Sequence, residues 1–159
     1  MSTQLGDIIE VNGQPWPFLS TEPRKYRLRV YNMSPSRPYD LYFQDSNGNH
    51  LPFKVIASDS GLFERPVAAS DVIISPGERY ELVVDFSAYS DQNITLKNGP
   101  HIDDTDEYND TDKVMMFVVG DSVSDSRNNG DVPERLNSAI AWPEQHSDLD
   151  HIFAFNCFR

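Results

Sequence analysis

Short apolar runs separated by turn-forming residues are the dominant pattern of this sequence. Residues 25–31 alternate charged and apolar side chains, which is typical of a strand with one buried face. Similar short runs follow along the chain at 41–43, 53–56, 71–74, 79–86 and 114–119. Turn-forming pairs lie between them, namely Asn12-Gly13, Asn47-Gly48, Pro76-Gly77 and Asn98-Gly99. The pattern predicts an all-β sandwich or barrel.

The same alternation predicts which side chains form the core. Side chains two residues apart on a strand share one face, so the apolar members of each run are expected to be buried together. The predicted core consists of Tyr26, Leu28, Val30, Phe43, Val55, Ile73, Tyr80, Leu82, Val84, Phe117 and Val119.

Two later segments depart from this pattern. Residues 99–113 are rich in carboxylates, and residues from Gly120 to Gln145 are rich in Ser, Asn, Asp and Pro. We therefore expect a single domain over residues 1–119 and an exposed connector over 120–149. Residues 150–159 contain a short alternating run at 151–155, which is expected to be the first strand of a further unit.

Charge and length limit the classes of function. The 159 residues suit one domain, and the formal net charge of −12 argues against binding to nucleic acid or to anionic lipid. No apolar run approaches the roughly 20 residues of a membrane helix. Met1 is followed by polar residues, so no secretory signal is expected and the localisation stays open.

Metal-binding and catalytic residue types are sparse. The chain has one cysteine, Cys157, and four histidines, none of which is paired as His-x-His. We therefore expect no metal site and no catalytic residue in this chain. Three sequons begin at Asn32, Asn93 and Asn109, and Asn93 and Asn109 are the favoured candidates for N-glycosylation.

Several longer motifs resemble the second, middle cupredoxin domain of multicopper oxidases of the bilirubin oxidase and laccase type. They follow that family's order and cover residues 6–119, with a weaker likeness beyond. The motifs are GDIIEVNGQPWP at 6–17, EPRKYRLR at 22–29, LPFKVIASDSGL at 51–62, ERYELVVDF at 78–86, QNITL at 92–96, DEY at 106–108 and VMMFVV at 114–119.

The resemblance implies a Greek-key, cupredoxin-like β-sandwich without copper of its own. The family oxidises phenols or bilirubin and reduces dioxygen to water, with copper held by the first and third domains. A type 1 copper needs a thiolate and two imidazoles, and the trinuclear cluster needs His-x-His pairs. This domain is therefore expected to be structural and inactive alone. Because residues 150–159 resemble the approach to a third domain, the chain is expected to be a cut-out or truncated product.

The resemblance also implies two surfaces. Trp16, Pro17 and Phe18 are expected to contact neighbouring domains, so the predicted partners are the first and third cupredoxin domains of the parent. Exposed former interfaces would also favour self-association. The loop before residue 114 lies near the substrate approach in the family, which makes His101, Asp104, Glu107 and Tyr108 the candidate substrate-facing residues.

Two other functions stay open. The chain could be one piece of an active copper oxidase that other domains or chains complete. It could also be an acidic ion-binding module, with ligands from Asp103, Asp104, Asp106 and Glu107. A cluster of basic residues (Arg24, Lys25, Arg27, Arg29, Arg37 and Arg79) is either an anion patch or a set of ion pairs. We favour ion pairs with carboxylates such as Asp59, Glu78 and Asp85.

Overall fold

The computed structural model describes residues 6–99, 110–125, 127 and 129–137, and within these ranges the chain is all β. In that part of the chain there is no helix long and apolar enough to cross a membrane. The strands are β1 Glu10–Val11, β2 Gln14–Pro15, β3 Phe18–Thr21, β4 Lys25–Tyr31, β5 Tyr39–Gln44, β6 His50–Leu51, β7 Phe53–Ser58, β8 Gly61–Ala69, β9 Val72–Ile74, β10 Arg79–Asp85, β11 Asn93–Asn98 and β12 Lys113–Val119.

The strands form two sheets and one small hairpin. One sheet has four antiparallel strands in the order β4-β10-β7-β8. The other has the order β3-β12-β11-β5-β6, and β9 also pairs with β5. The only parallel pairing among the described strands joins β3 to β12, whereas β1 and β2 form an antiparallel hairpin. The predicted all-β sandwich is confirmed.

The strict alternation in β4 explains its pairing with β10. Leu28 lies opposite Leu82 and Tyr26 lies opposite Val84, so apolar pairs face the other sheet. Leu82 and Val84 are fully buried, whereas Tyr26 and Leu28 are half-buried because β4 is an edge strand. The polar residues of the alternation lie on the outer face.

Three phenylalanines from different parts of the chain meet between the sheets. The rings of Phe86 and Phe117 are 5.2 Å apart, those of Phe43 and Phe117 are 5.8 Å apart, and those of Phe43 and Phe86 are 6.4 Å apart. All three side chains are at most 1% exposed. Burying each such side chain contributes about 1.5–3 kcal/mol, so this cluster is a main source of stability.

The predicted core is largely confirmed. Phe43, Val55, Leu82, Val84, Phe117 and Val119 are buried, and Tyr26, Leu28, Val30 and Tyr80 are half-buried. The prediction for Ile73 is wrong, because Ile73 is 51% exposed and its neighbour Ile74 is buried at 1%. The run Val72–Ile74 is apolar at every position, so it contains no alternation that would identify the buried face.

Candidate interdomain surface and the base of the acidic loop

A tight hairpin presents Trp16 at the surface. Asn12 and Gly13 have φ values of 54° and 78°, as a two-residue hairpin turn requires. Trp16 donates its backbone N–H to the carbonyl of buried Ile9 at 3.1 Å. Its φ of 41° is uncommon for a residue with a side chain. The hairpin therefore holds Trp16 in a constrained conformation, with 41% of the residue exposed.

The following strand forms an apolar sheet edge. Met116 donates to the carbonyl of Pro17 at 3.0 Å, and Phe18 lies beside Met116 in the parallel pairing. Phe18 is 68% exposed and Leu19 is 44% exposed, whereas Pro17 is half-buried. The predicted interface residues Trp16, Pro17 and Phe18 are thus neighbours on one edge. Exposed apolar side chains on a sheet edge are typical of a surface that contacts another protein segment.

A buried asparagine organises the base of the acidic loop, which comprises residues 100–112. The side-chain oxygen of Asn98 accepts a hydrogen bond from Asp40 N at 2.9 Å. Its side-chain amide donates to the Thr111 carbonyl at 3.3 Å, and its backbone N–H donates to the Asp112 carbonyl at 2.8 Å. Gly99 donates to the Asp40 carbonyl at 2.7 Å. These bonds hold the residues on both sides of segment 100–109 together.

The candidate substrate-facing residues lie within that segment. His101, Asp104, Glu107 and Tyr108 fall outside the described residues, as do the ion-binding candidates Asp103 and Asp106 and the sequon at Asn109.

Two ion pairs lie at the base of the loop. Lys97 pairs with Asp112, and Lys113 pairs with Asp110 at 2.8 Å. The hydrogen bond to Asp110, together with the charges of Asp110 and Asp112, raises the pKa of Lys113. The lysines at the base are therefore matched by local carboxylates.

The described sequons differ in accessibility. Asn32 is buried, and its amide donates to the carbonyls of Arg37 and Ile74 at 2.8 and 3.0 Å. Its side-chain oxygen accepts bonds from the backbone N–H and the hydroxyl of Ser34. A glycan cannot be attached to this amide in the folded protein. Asn93, in contrast, is exposed at the start of β11.

The described residues do not provide a copper site. No three His, Cys, Asp or Glu side chains gather as metal ligands anywhere in the described part of the chain. His50 is exposed, and its ring stacks on Tyr42 with the centroids 4.2 Å apart. His101, His146, His151 and Cys157 lie outside the described ranges.

Most of the basic cluster forms ion pairs on the outer face of the four-stranded sheet. Arg79 pairs with Asp59 at 3.1 Å and Lys25 pairs with Asp85 at 3.7 Å, as the sequence predicted. Arg27 and Arg29 both pair with Glu81, a carboxylate that was not predicted. Glu78 has a different role, since it accepts a hydrogen bond from the backbone of Ser75.

Two members of the basic cluster bind backbone carbonyls. Buried Arg37 donates to the Gly6 carbonyl at 2.7 Å. Arg24 donates to the carbonyls of Asp125 and Arg127, about a hundred residues away in sequence. No local pattern signals these contacts, and sequence reasoning missed them.

Comparisons with known proteins point to copper oxidases. A bilirubin oxidase from Albifimbria verrucaria is 46% identical over 157 residues, which cover 94% of this chain and 27% of the relative. A laccase from Bacillus stratosphericus is 44% identical over 93 residues, which cover 58% of this chain and 18% of the relative.

Solved structures agree with the sequence relatives. The McoA multicopper oxidase from Aquifex aeolicus matches with a TM-score of 0.75 at 33% identity, over 89% of this chain and 30% of that protein. No model of a known protein family matches the chain. The chain thus spans about a quarter to a third of the length of the bilirubin oxidase and of McoA.

Proposed function

Because this chain is homologous to one segment of the multicopper oxidases, we propose that it serves as the copper-free, structural middle domain of a bilirubin oxidase-like or laccase-like enzyme. The observation that carries this proposal is the 46% identity over nearly the whole chain, which covers only 27% of the relative. The parent would oxidise phenols or bilirubin and reduce dioxygen to water.

The distribution of ligand-forming residues supports a copper-free role. Copper in such an enzyme accepts electrons singly from the reducing substrate and requires thiolate and imidazole ligands. This chain has a single cysteine and no His-x-His pair. The one histidine in the described ranges, His50, stacks on Tyr42. The copper ligands would therefore come from other parts of the parent.

The apolar edge formed by Trp16, Phe18 and Leu19 would contact the first and third domains. Phe18 is the most exposed of the three, and burying one aromatic side chain at an interface contributes about 1.5–3 kcal/mol. The constrained backbone of Trp16 supports this role, because a backbone that is already fixed loses little conformational freedom when a partner covers the residue. The same edge would favour self-association of the isolated chain.

The acidic loop would border the substrate approach. Carboxylates such as Asp104 and Glu107 beside an entrance attract cationic phenols and slow anionic substrates, and salt screens both effects. Grafting residues 100–112 into an active relative tests this role. At low salt the graft should raise the ratio of turnover for cationic over anionic substrates above that of the unmodified relative. At high salt the ratio should return towards the value of the unmodified relative. A ratio that the graft does not change would make the loop a connector only.

Metal analysis of the purified chain tests the copper-free assignment. We expect no stoichiometric copper, no blue thiolate absorption and no turnover of a phenolic dye. The variant Cys157→Ser is the control, because it removes the only thiolate. A blue band that this substitution abolishes would contradict the proposal. Oxidase activity that arises only on mixing with polypeptides carrying the His-x-His pairs would identify the chain as one piece of an active enzyme.

Substitutions in the parent enzyme test the structural role. We expect Phe18→Ser to lower its thermal stability and copper retention, because a polar group would replace a buried contact. Met33→Ser is the matched control, since Met33 is 79% exposed but belongs to the loop after β4 and not to β3. Equal effects of the two substitutions would contradict a domain contact at Phe18.

A further inference from the structure

The residues that follow β12 lie against the sandwich and are fastened to it at several points. We call residues 121–125, 127 and 129–137 the strap. The strap contains no strand, and most of its side chains are exposed. Its hydrogen bonds reach residues that lie about 70 to 106 positions earlier in the chain.

The first fastening point lies just before β4. Glu22 accepts hydrogen bonds from the backbone N–H and the hydroxyl of Ser124. Arg24 donates to the Asp125 carbonyl at 2.7 Å and to the Arg127 carbonyl. Its guanidinium also pairs with Glu22 at 3.5 Å, so these two side chains form one polar clasp. Only 16% of the Arg24 side chain is exposed, which limits competition from water.

The second fastening point is Lys25, the first residue of β4. Its backbone N–H donates to the side-chain oxygen of Asn129 at 2.9 Å. Its ammonium group donates to the Asn129 carbonyl at 3.4 Å and pairs with Asp131 at 3.1 Å. The backbone N–H of an edge strand would otherwise lack a partner in the sheet, so the strap covers part of this edge.

The third fastening point lies at the opposite edge of the same sheet. Leu136 donates its backbone N–H to the Glu64 carbonyl at 2.8 Å, and Arg135 pairs with the Glu64 carboxylate at 3.0 Å. Glu64 belongs to β8, and β4 and β8 are the two edges of the order β4-β10-β7-β8. Between these points, Val132 and Glu134 line a shallow depression with Lys54 and Pro66.

The dimensions fit a crossing of the whole sheet. Three strand spacings of about 4.8 Å separate β4 from β8, which is about 14 Å. The seven steps from Asn129 to Leu136 can reach at most about 25 Å when extended. Lys25 and Glu64 are therefore within the reach of this stretch, and the depression that Val132 and Glu134 line with Lys54 and Pro66 places the strap on the outer face of the sheet.

The crossing moves the chain from one side of the sandwich to the other. Three residues join β3 to β4, so these strand edges lie on the same side, and two residues join β8 to β9 on the other side. We propose that the contacts with Arg24 and Lys25 fix the course of the strap across the outer face of the sheet. The strap thereby brings the polypeptide chain to the β8 edge. On the proposed function, the β8 edge would then give the neighbouring domains of the parent a second contact surface besides the β3 edge.

Limited trypsin digestion of the intact chain tests the clasp. Trypsin cleaves after Arg127 and after Arg135, and both arginines belong to the strap. Arg24→Gln removes the donors to two strap carbonyls, so cleavage after Arg127 should accelerate by roughly fivefold or more. The matched control is Arg29→Gln, because Arg29 is exposed in the adjoining β4 and pairs with Glu81. The control should be cleaved at the wild-type rate.

Hydrogen exchange keeps the test independent of overall folding. In the wild-type chain the amide of Leu136 should be protected, and Arg24→Gln should increase exchange in residues 121–125, 127 and 129 while residues 79–86 keep their protection. Equal cleavage rates in the two variants, or an unprotected Leu136 amide in the wild type, would overturn the proposal. Neither readout involves copper or oxidase activity, so a failure here is distinguishable from a failure of the proposed function.

Discussion

The Asp40 carboxylate occupies the space that a side chain at position 99 would need. A Cβ atom on Gly99 would lie 2.5 Å from Asp40 Oδ2 and 3.2 Å from the carboxyl carbon. Asp40 is 2% exposed, so its carboxylate cannot move into solvent to make room. Gly99 also donates its backbone N–H to the Asp40 carbonyl at 2.7 Å. Close approach, rather than a positive φ, is the reason for glycine at this position.

Gly99→Ala should therefore destabilise the base of the acidic loop. We expect the free energy of unfolding to fall by about 1–3 kcal/mol, as is typical for extra volume in a packed site. Gly130→Ala is the control, because no atom lies within 4 Å of a Cβ built there, and it should change stability by less than about 1 kcal/mol. Urea titration of both variants gives the comparison, and equal midpoints would contradict the predicted clash.

The turn signals in the sequence were informative where glycine adopts a positive φ. Gly13, Gly48 and Gly77 all do so, in agreement with the predicted turns. Asn98-Gly99 has the same two residues as Asn12-Gly13 and Asn47-Gly48 but another role. Asn98 ends β11, and its side chain bonds to Asp40 and Thr111. A dipeptide signal reports local backbone preference and contains no information on a tertiary contact.

The long-range polar contacts could not be predicted from the sequence. The alternation in residues 25–31 identified β4 and its inner face, because one strand contains the whole pattern. The contact between Arg24 and the Asp125 carbonyl joins residues 101 positions apart. A carbonyl acceptor has no residue type, so no sequence feature identifies it. The residues 120–149 were accordingly predicted only as an exposed connector.

Truncation of Phe86 should destabilise the chain strongly, whereas truncation of Phe18 should have little effect on its stability. Phe86 is fully buried among other aromatic rings, so Phe86→Ala should lower the free energy of unfolding of the isolated chain by about 3–5 kcal/mol. Phe18 is 68% exposed, so Phe18→Ala should change that value by less than about 0.5 kcal/mol. Chemical denaturation measures both.

Sedimentation adds a second readout for the apolar edge. If the wild-type chain self-associates through β3, Phe18→Ala should weaken that association while leaving the monomer folded. A destabilisation of several kcal/mol by Phe18→Ala would mean that Phe18 packs within its own sandwich, contrary to its exposure.

Asn32 should be one of the most sensitive polar positions. Asn32→Ala removes the side-chain partner of the Ile74 carbonyl and of the Ser34 backbone N–H, and it leaves the Arg37 carbonyl with the Ser34 hydroxyl as its side-chain donor. We expect a loss of about 2–4 kcal/mol in the free energy of unfolding. Asn93→Ala, at an exposed strand position, should cost less than about 0.5 kcal/mol.

Mass spectrometry after secretion from a eukaryotic host extends this comparison. Asn32 should carry no glycan, because its amide is bonded within the fold. A glycosylated and folded protein with sugar on Asn32 would show that this asparagine is accessible.

The turn between β5 and β6 should give a defined pH dependence. Asp45 accepts hydrogen bonds from the side chain and the backbone N–H of Asn49 and from the backbone N–H of Asn47. These bonds, with the Asn49 side-chain bond as the largest cause, lower the pKa of Asp45 below its ordinary value of 3.8. A lowered pKa means that the folded chain binds a proton less readily than the unfolded chain. The stabilisation is therefore complete above pH 3.8 and disappears as the pH falls through the lower, folded-state pKa.

Asp45→Asn isolates this contribution. The amide keeps the size of the side chain but removes the charge that accepts these hydrogen bonds. Near neutral pH the wild type should be more stable than the variant, and the difference should shrink as the pH falls below 3.8. Urea midpoints measured from pH 7 down to the lowest pH at which both proteins fold would follow it. Asp71→Asn is the comparison, because Asp71 is an exposed carboxylate that accepts a hydrogen bond from the neighbouring Ser70 hydroxyl. A stability difference for Asp45→Asn that stays constant over this pH range would show that the ionised carboxylate does not stabilise the turn.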